Sequence, residues 1–363
     1  MRQDEAKHFD ERTAAGDTAA EPGGAADPEA RYRRSSAFLI DEALGFLFPA
    51  ALRAAADVGV ADHLADGPRT PAELATTTGL DARSLHRVLR LLATRGVVAE
   101  DDAGRFTLTD AGQALRSDVP CSARTAVQML TDRTMWQPAG ELTSCLTEGT
   151  ASFEAIFGMP FFDWFAQDAR TAAVFHGGMA AMSDAENAVI AAAYDFPETG
   201  TVVDVGGGHG GLLLEVLRRN PGVAGVLYDR AHVLAGHRLD TDKEIAGRWT
   251  LAEGDFFASA PPGDIHLLKR ITHDWDDETC VTLLTSCRRS LHPGGRVLVL
   301  DAVVPRGNAP HQSKTLDLMM MASLTGRERT EADFAALFDR AGLRLSRLLP
   351  TPTVLSVVEA VPA

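Results

Sequence analysis

Short apolar runs alternate with longer amphipathic stretches along the second half of the chain. The runs are rich in Val, Leu and Ile and predict strands, while the amphipathic stretches, among them residues 277–291 and 331–341, predict helices. The predicted strands are residues 201–205, 225–228, 249–252, 265–268, 296–300, 343–348 and 354–360. Alternating strands and helices predict an α/β fold with a mostly parallel, doubly wound sheet. The connection between the last two strands is too short for a helical crossover, so this pair should be antiparallel.

Residues 70–116 carry the pattern of two helices followed by a hairpin. Thr70 and Glu73 are spaced as a capping box, and Asp81 suits the N-cap of the second helix. Residues 97–108 then predict a hairpin. This winged-helix-like pattern leaves DNA binding open because arginines decorate the second helix. The acidic hairpin argues against that reading.

The stretch before this unit is also predicted to be helical. Residues 37–64 are rich in Ala and Leu and are interrupted at Pro49 and Gly59. Their many large apolar side chains predict either an interface between two copies of the chain or burial within one copy. Residues 1–34, in contrast, are dominated by small and polar residues, which predicts a disordered leader without chemistry.

Residues 119–196 are predicted to be mainly helical and hold many aromatic and methionine side chains. Such a cluster usually packs a core, but some of its members could also wall in a flat apolar ligand. The candidates for substrate contact are Met129, Trp136, Phe162, Phe175 and Met179, together with Met320 from later in the chain.

Composition narrows the function classes. The formal charge of −15 over 363 residues argues against broad nucleic-acid binding, which needs a basic surface. The four cysteines form no C-x-x-C pair, so a reducing cytoplasm is the simplest setting. No uninterrupted run of about 18 apolar residues occurs, so no membrane span is expected.

A glycine-rich turn follows the first strand of the predicted sheet. Gly206, Gly208 and Gly211 fit the pattern G-x-G-x-x-G, which is weak by itself. Asp229 ends the next strand, where nucleotide-binding sheets hold ribose hydroxyls. These features suit a nicotinamide dinucleotide equally well, so other segments must decide between the cofactors.

Three downstream segments make that distinction. They are G-D-F-F at residues 254–257, H-D-W-D-D at residues 273–277 after Lys269, and G-R-E-R-T at residues 326–330. Together with P-G-G at residues 293–295, they resemble the S-adenosylmethionine (SAM)-dependent O-methyltransferases of the plant caffeate/flavonoid type and their bacterial natural-product relatives. The resemblance covers roughly residues 37–361.

The resemblance implies an architecture, a cofactor and partners. It implies a Rossmann-like, seven-stranded class I methyltransferase sheet at residues 197–363, a winged-helix-like dimerisation domain at residues 35–118, and a helical substrate-lining region at residues 119–196. SAM would be the cofactor, a small phenolic aromatic compound the substrate, and a homodimer formed through the N-terminal domain the working unit. We expect no nucleic-acid, membrane or metal partner, and a cytoplasmic location.

The resemblance also assigns site residues. His273 matches the catalytic base, and Asp301 and Glu328 match the acidic residues that orient and stabilise its imidazole. Cofactor contacts are assigned to Gly206, Gly208, Asp229, Asp255, Phe256, Lys269 and Trp275. Asp274, Asp276 and Asp277 would also suit a divalent metal, but the last two are well placed to cap the next helix, so no metal site is expected.

Elementary acid–base chemistry supports a base at His273. A phenol with a pKa of about 10 is a poor nucleophile at neutral pH, and an imidazole can accept its proton as the new bond forms.

Three alternatives to an O-methyltransferase stay open. They are a SAM-binding relative that hydroxylates or decarboxylates its substrate, a winged-helix DNA-binding regulator, and a nicotinamide-dependent oxidoreductase. The presence of His273 favours methyl transfer.

Overall fold

The computed structural model describes residues 28–363, which pack as two units, one ending at Pro49 and one running from Ala50 to Ala363. The strands are β1 (Val98–Glu100), β2 (Phe106–Leu108), β3 (Gly200–Val205), β4 (Val223–Asp229), β5 (Trp249–Glu253), β6 (Gly263–Lys269), β7 (Leu291–Ala302), β8 (Leu343–Pro350) and β9 (Leu355–Pro362).

The first helices are short, apart from the N-terminal one. They are α1 (Pro28–Leu44), α2 (Leu47–Asp57), α3 (Val60–His63), α4 (Pro71–Thr78), α5 (Ala82–Ala93), α6 (Asp110–Gln113), α7 (Arg124–Leu130), α8 (Arg133–Gly140) and α9 (Leu142–Glu148). The later helices are α10 (Phe153–Phe157), α11 (Phe161–Gln167), α12 (Ala169–Ala192), α13 (Gly211–Arg219), α14 (Ala231–Leu234), α15 (Asp277–Ser290), α16 (Gln312–Ser323) and α17 (Glu331–Arg340).

Strands β3 to β9 form one sheet in the order β5-β4-β3-β6-β7-β9-β8. The first five strands in this order are parallel, and β9 lies antiparallel between β7 and β8. The predicted doubly wound sheet and its antiparallel final pair are therefore confirmed. The strand order reverses at β3, and ligands bind outside the carboxyl ends of the strands at such a switch point.

Buried apolar side chains cover both faces of the sheet. Residues of α12, α13 and α16 pack on one face, and residues of α15 and α17 pack on the other. Both faces are shielded from water, which explains why the central strands read as continuous apolar runs rather than as alternating patterns. The sheet is thus a rigid base for the loops that leave its carboxyl edge.

The unit from Ala50 also contains the predicted helix pair and hairpin. The Thr70 side chain accepts a hydrogen bond from the backbone of Glu73, and the Glu73 carboxylate accepts one from the backbone of Thr70 at 2.7 Å. Asp81 caps α5 by accepting from the backbone of Ser84 at 2.8 Å. Strands β1 and β2 pair antiparallel, as the hairpin pattern predicted. The domain boundaries predicted at residues 118 and 196 fall inside this unit and stay predictions.

Helix α1 overturns part of the predicted leader. It begins at Pro28, and proline suits the first position of a helix because the N–H group there needs no partner. Arg33 pairs with Glu29 one turn earlier, with 3.3 Å between the charged atoms. Residues 28–34 are therefore helical rather than disordered, and residues 1–27 lie outside the described residues. Pro49 does not end a helix, since it lies in the first turn of α2.

Helix α1 and the turn after it present apolar side chains to solvent. The exposed large apolar residues here are Tyr32, Phe38, Leu39, Ile40, Leu44, Phe46 and Leu47. This exposure favours the interface alternative for the segment. By length and composition alone, the stretch Arg31–Asp57 is also long and apolar enough to cross a membrane, although its apolar residues do not form one uninterrupted run.

Candidate active site

His273 lies at the carboxyl edge of the sheet, directly after β6. The chain leaves that strand at Arg270, whose φ of 54° lies in the left-handed region that few residues other than glycine adopt. A short 3-10 turn, Thr272–Asp274, follows and turns the imidazole inward. The side chain of His273 is buried, with the whole residue only 7% exposed.

One nitrogen of this imidazole is paired with the predicted glutamate. His273 Nδ1 lies 2.9 Å from Glu328 Oε1, and Glu328 is itself buried. The backbone N–H of Glu328 donates to Asp317 Oδ1 at 3.0 Å, which holds the loop before α17 in place. A carboxylate on one ring nitrogen fixes the tautomer, so the other nitrogen, Nε2, is left to accept a proton.

Asp301, at the end of β7, differs from its predicted contact. Its Oδ2 accepts a hydrogen bond from the hydroxyl of Thr272 at 2.5 Å, so it does not hold the imidazole ring directly. The other oxygen, Oδ1, is buried and without a hydrogen-bond partner. Asp301 therefore acts on His273 through its charge, which raises the pKa of the histidine.

Asp274 is the acidic neighbour that the sequence reading missed. Its Oδ1 lies 3.4 Å from His273 Nε2, on the side of the ring opposite Glu328. Burial raises the pKa of Asp274 to about 7, although the neighbouring histidine opposes this effect. Burial alone would lower the pKa of His273, but Asp274, Glu328 and Asp301 together raise it to about 9. The two groups titrate as a pair in which the imidazolium form is stabilised.

The loop that carries Glu328 is locked to the loop that carries His273. At Gly326 an added Cβ atom would overlap the backbone carbonyl oxygen of His273, so only glycine permits this approach. Buried Arg329 donates to the carbonyl oxygens of Thr272 at 2.7 Å and Trp275 at 3.0 Å. In the G-R-E-R-T segment, Gly326 therefore allows the two loops to touch and Glu328 supplies the carboxylate to His273. Arg329 holds the histidine loop through hydrogen bonds to its backbone.

An apolar cavity of about 860 Å³, including its mouth, opens in front of His273. Methionine, phenylalanine and leucine side chains form most of its wall. Five of the six predicted substrate residues line it: Met129, Phe162, Phe175, Met179 and Met320. Trp136 is not part of this wall, whereas its neighbour Met135 is, so substrate contact by Trp136 stays a prediction without support from the cavity. One position along a helix turns a side chain by about 100°, which the aromatic pattern alone could not resolve.

A second cavity of about 870 Å³ lies over the glycine-rich turn. Gly206, Gly208 and Lys269 line it, as predicted, and Asp204 joins them. The two cavities share His176, Met179 and Arg270 in their walls, so they are neighbours. A group bound over the glycines would therefore lie next to a group bound in front of His273.

The turn has the features of a cofactor cradle. Gly206 and Gly208 have φ values of 68° and 59°, which favour glycine. Asp229 Oδ2 accepts from the backbone N–H of Gly208 at 2.9 Å and so supports the turn from β4. Asp204 Oδ2 is buried without a hydrogen-bond partner, and burial raises the pKa of this carboxyl to about 7. An orphaned carboxyl oxygen beside an open glycine cradle fits a cofactor with a cationic end.

The remaining predicted cofactor residues lie outside the wall of this cavity. Asp255 accepts from the backbone of Phe257 at 2.9 Å, and the ring of Phe256 lies next to Gly206, as an added Cβ there would meet it at 3.4 Å. Trp275 packs edge-on against Phe257, with 5.0 Å between ring centres, and is stacked on Phe162. Phe256 thus lies beside the cradle, and the cofactor roles assigned to Asp255, Phe256 and Trp275 stay predictions.

Lys269 and Arg270 are both tied to helix α12. Lys269 Nζ donates to Asn187 Oδ1 at 2.7 Å and to Ser183 Oγ at 2.9 Å. Arg270 donates to Glu186 through Nη2 at 2.6 Å and through Nε at 3.3 Å. The sequence reading missed Glu186 and Arg270. The sequence shows a glutamate on the predicted helix and an arginine directly after Lys269. It does not show that α12 and the end of β6 lie next to each other, so the pair could not be predicted.

Within residues 28–363, no cluster of His, Cys, Asp and Glu side chains has the arrangement of a metal site. Asp276 caps α15 by accepting from the backbone of Thr279 at 2.8 Å, as predicted. Asp277 pairs with Arg329 at 2.7 Å. These acids are thus used in holding the structure together.

Comparison with known proteins places this geometry in a family. A family model of the O-methyltransferase domain matches residues 140–344, and a model of the O-methyltransferase dimerisation domain matches residues 40–118. The chain is 37% identical to phenazine O-methyltransferase PhzM of Lysobacter antibioticus. The match runs over 330 residues and covers 90% of this chain and 96% of that relative. The chain belongs to the O-methyltransferase family.

Two further relatives bear on the site. The structure of CalO1, a methyltransferase in calicheamicin biosynthesis in its S-adenosylhomocysteine-bound form, has 55% identity and a TM-score of 0.86, covering 91% of this chain and 98% of that one. Aclacinomycin 10-hydroxylase RdmB of Streptomyces purpurascens is 33% identical over 305 residues, 82% of each chain. The cofactor of this O-methyltransferase is SAM.

Proposed function

We propose that this SAM-dependent O-methyltransferase methylates a phenolic hydroxyl of a small aromatic natural product, with His273 as the general base. The observation that carries the proposal is a buried imidazole, paired with Glu328 at 2.9 Å, in the wall of an aromatic and methionine-rich cavity. That cavity adjoins the glycine cradle. When bound, SAM supplies an electrophilic methyl group.

The chain's own residues supply the base and hold the acceptor. The acceptor hydroxyl donates its proton to His273 Nε2, while Glu328 keeps the ring in the tautomer with a proton on Nδ1. The charges of Asp274, Glu328 and Asp301 stabilise the imidazolium that results. The raised pKa of His273 makes the imidazole a stronger proton acceptor and brings it closer to the pKa of a phenol, about 10.

We propose the following division among the other residues. Gly206, Gly208, Asp204 and Lys269 hold the cofactor within its cavity, and Asp229, Asp255, Phe256 and Trp275 complete its site at the rim. The aromatic ring of the substrate lies against Met129, Phe162, Phe175, Met179 and Met320, the predicted residues whose position on the cavity wall supports this role.

A test of the activity uses the purified enzyme, SAM and a panel of phenols. The products are analysed by mass, and we expect a gain of one methylene group. A gain of one oxygen atom or a loss of carbon dioxide would instead identify the hydroxylase or decarboxylase alternative, which the hydroxylase relative keeps open. His273 favours methyl transfer because neither alternative needs a base facing a phenol.

We propose further that the enzyme works as a homodimer. Its dimerisation domain and the exposed apolar residues of α1 support this assembly. Neither a divalent metal nor a nucleic acid takes part in this proposal. Methyl transfer that EDTA abolishes, or a mobility shift with DNA, would contradict it.

We infer a cytoplasmic location from the four cysteines, all of which are free thiols, including Cys280 and Cys287, which are buried on α15. Fractionation of the producing cells tests this inference. Recovery of the protein in the membrane fraction would contradict it and would favour a membrane role for the stretch Arg31–Asp57.

A further inference from the structure

Charged side chains are few in the wall of the substrate cavity. Within the described part of the chain, the titratable residues of this wall are His176, Arg270, His273 and Asp274. Burial lowers the pKa of His176, which favours the neutral form of this side chain. The charge that a substrate meets is therefore set by Arg270, His273 and Asp274.

Both cations of this wall are already neutralised. Arg270 donates to Glu186 at 2.6 and 3.3 Å, and the side chains of this pair are only 7% and 12% exposed. His273 lies between Glu328 at 2.9 Å and Asp274 at 3.4 Å. A carboxylate on the substrate would be desolvated here with no unpaired cation to receive it, and Asp274 would repel it.

We propose that this enzyme selects acceptors that carry no free carboxylate, and that Glu186 sets this selectivity by occupying Arg270. The inference rests on the proposed function, because it concerns the acceptor of the same site. Glu186 is a positioning residue, because it does not line the cavity itself. It acts through the guanidinium of Arg270, which does line the cavity. An aromatic acid would be accepted only after its carboxyl had become an ester, an amide or a thioester.

The test compares two probes of nearly equal shape. One is a hydroxynaphthoate with the hydroxyl and carboxylate on different rings, and the other is the corresponding carboxamide. Their dissociation constants are measured by calorimetry at pH 7 with saturating S-adenosylhomocysteine, which lacks the sulfonium charge. We expect the amide to bind the wild type roughly tenfold or more tightly than the acid. Equal or tighter binding of the acid, or no binding of the amide, overturns the inference.

Substitutions then identify the residue responsible. In Glu186→Gln the guanidinium loses its carboxylate partner, and we expect the preference for the amide to fall about tenfold. Adding Arg270→Gln to that variant should restore the preference for the amide. The matched control is Asp184→Asn on the same helix, whose partner Arg238 lines only the cofactor cavity; the ratio of the two dissociation constants should not change.

Loss of overall stability cannot imitate this result, because the readout is a ratio between two probes on one protein. An unchanged ratio in Glu186→Gln overturns the role of Glu186. The proposed function fails separately, when no phenol of either kind receives a methyl group from SAM. Binding and turnover therefore distinguish the two failures.

Discussion

The proposed base role of His273 and its acidic surroundings favour opposite protonation states of the imidazole. As a base it must be unprotonated when the acceptor arrives, whereas its three acidic neighbours favour the imidazolium. The arrangement is useful because the imidazolium is the state in which proton abstraction ends. The cost is that the raised pKa lowers the fraction of the free enzyme that holds a neutral imidazole at pH 7.

This conflict predicts a rate that rises with pH. Below a pKa of about 9 the imidazole of the free enzyme is protonated and cannot accept a proton, so kcat/KM should increase up to about pH 9. Glu328→Gln removes one of the charges that raise this pKa. The rising limb should then move to lower pH by about one unit, while the plateau falls because the tautomer is less well fixed.

The control for this pH profile is Glu331→Gln, which changes an exposed carboxylate three residues later, in the first turn of α17. Its profile should follow the wild type. A limb that stays in place in Glu328→Gln would show that Glu328 does not set the pKa of the base.

The sequence could predict the imidazole and its glutamate but not the whole constellation. His273 and Glu328 lie in two of the sequence motifs on which the resemblance rests, so the resemblance assigned a role to each of them. The structure shows that the two side chains meet. Asp301 was placed in the right region with the wrong contact, because one hydroxyl at Thr272 decides which neighbour it meets. Glu186 was missed altogether, since a charge on a long helix looks the same whether it faces solvent or an arginine.

At the scale of elements, the site depends on two loops meeting without a side chain between them. Gly326 provides this contact, and Arg329 holds it by donating to two carbonyl oxygens of the histidine loop. The histidine loop follows strand β6, whereas the Gly326 loop follows helix α16, and the two come together at the carboxyl edge of the sheet. Their mutual position fixes the distance between imidazole and carboxylate.

Gly326→Ala should therefore damage both folding and catalysis. The added methyl group overlaps the backbone of residues 273–275, so we expect a loss of about 1–3 kcal/mol in the free energy of unfolding, measured by chemical denaturation. We also expect kcat to fall more than about tenfold, because displacement of the base is costly. Gly140→Ala is the matched control: nothing lies within 4 Å of its added Cβ, and α8 should gain up to about 1 kcal/mol. Wild-type stability and rate in Gly326→Ala would contradict the interlocking of these loops.

At the scale of the whole molecule, the sheet was the easiest part to predict. Its central strands β3, β6, β7 and β9 are largely buried on both faces, so they read as apolar runs in the sequence. The start of α1 was harder. Residues 28–34 have too few apolar side chains to suggest a core, and only the pairing of Glu29 with Arg33 and the position of Pro28 indicate a helix.

The exposed apolar side chains of α1 predict how the molecule assembles. Phe38→Asp combined with Ile40→Asp places two charges among side chains that are about 60% exposed in the single chain. We expect this variant to shift from dimer to monomer in sedimentation velocity, because charges are costly in an apolar interface. The control is Leu146→Asp, which places a charge at an exposed apolar residue outside α1 and should leave the dimer intact. A double variant that stays fully dimeric would exclude α1 from the interface.

The base role of His273 is tested most directly by methyl transfer from SAM to a series of phenols of different acidity, compared between the wild type and His273→Ala. For phenols with a pKa of about 10 we predict that His273→Ala lowers the single-turnover rate by about 100- to 10,000-fold. The loss should shrink steadily as the phenol becomes more acidic, since a phenol that is already ionised needs no base. An equal loss for every phenol, or a His273→Ala variant as fast as the wild type, would contradict the assignment of this imidazole as the base.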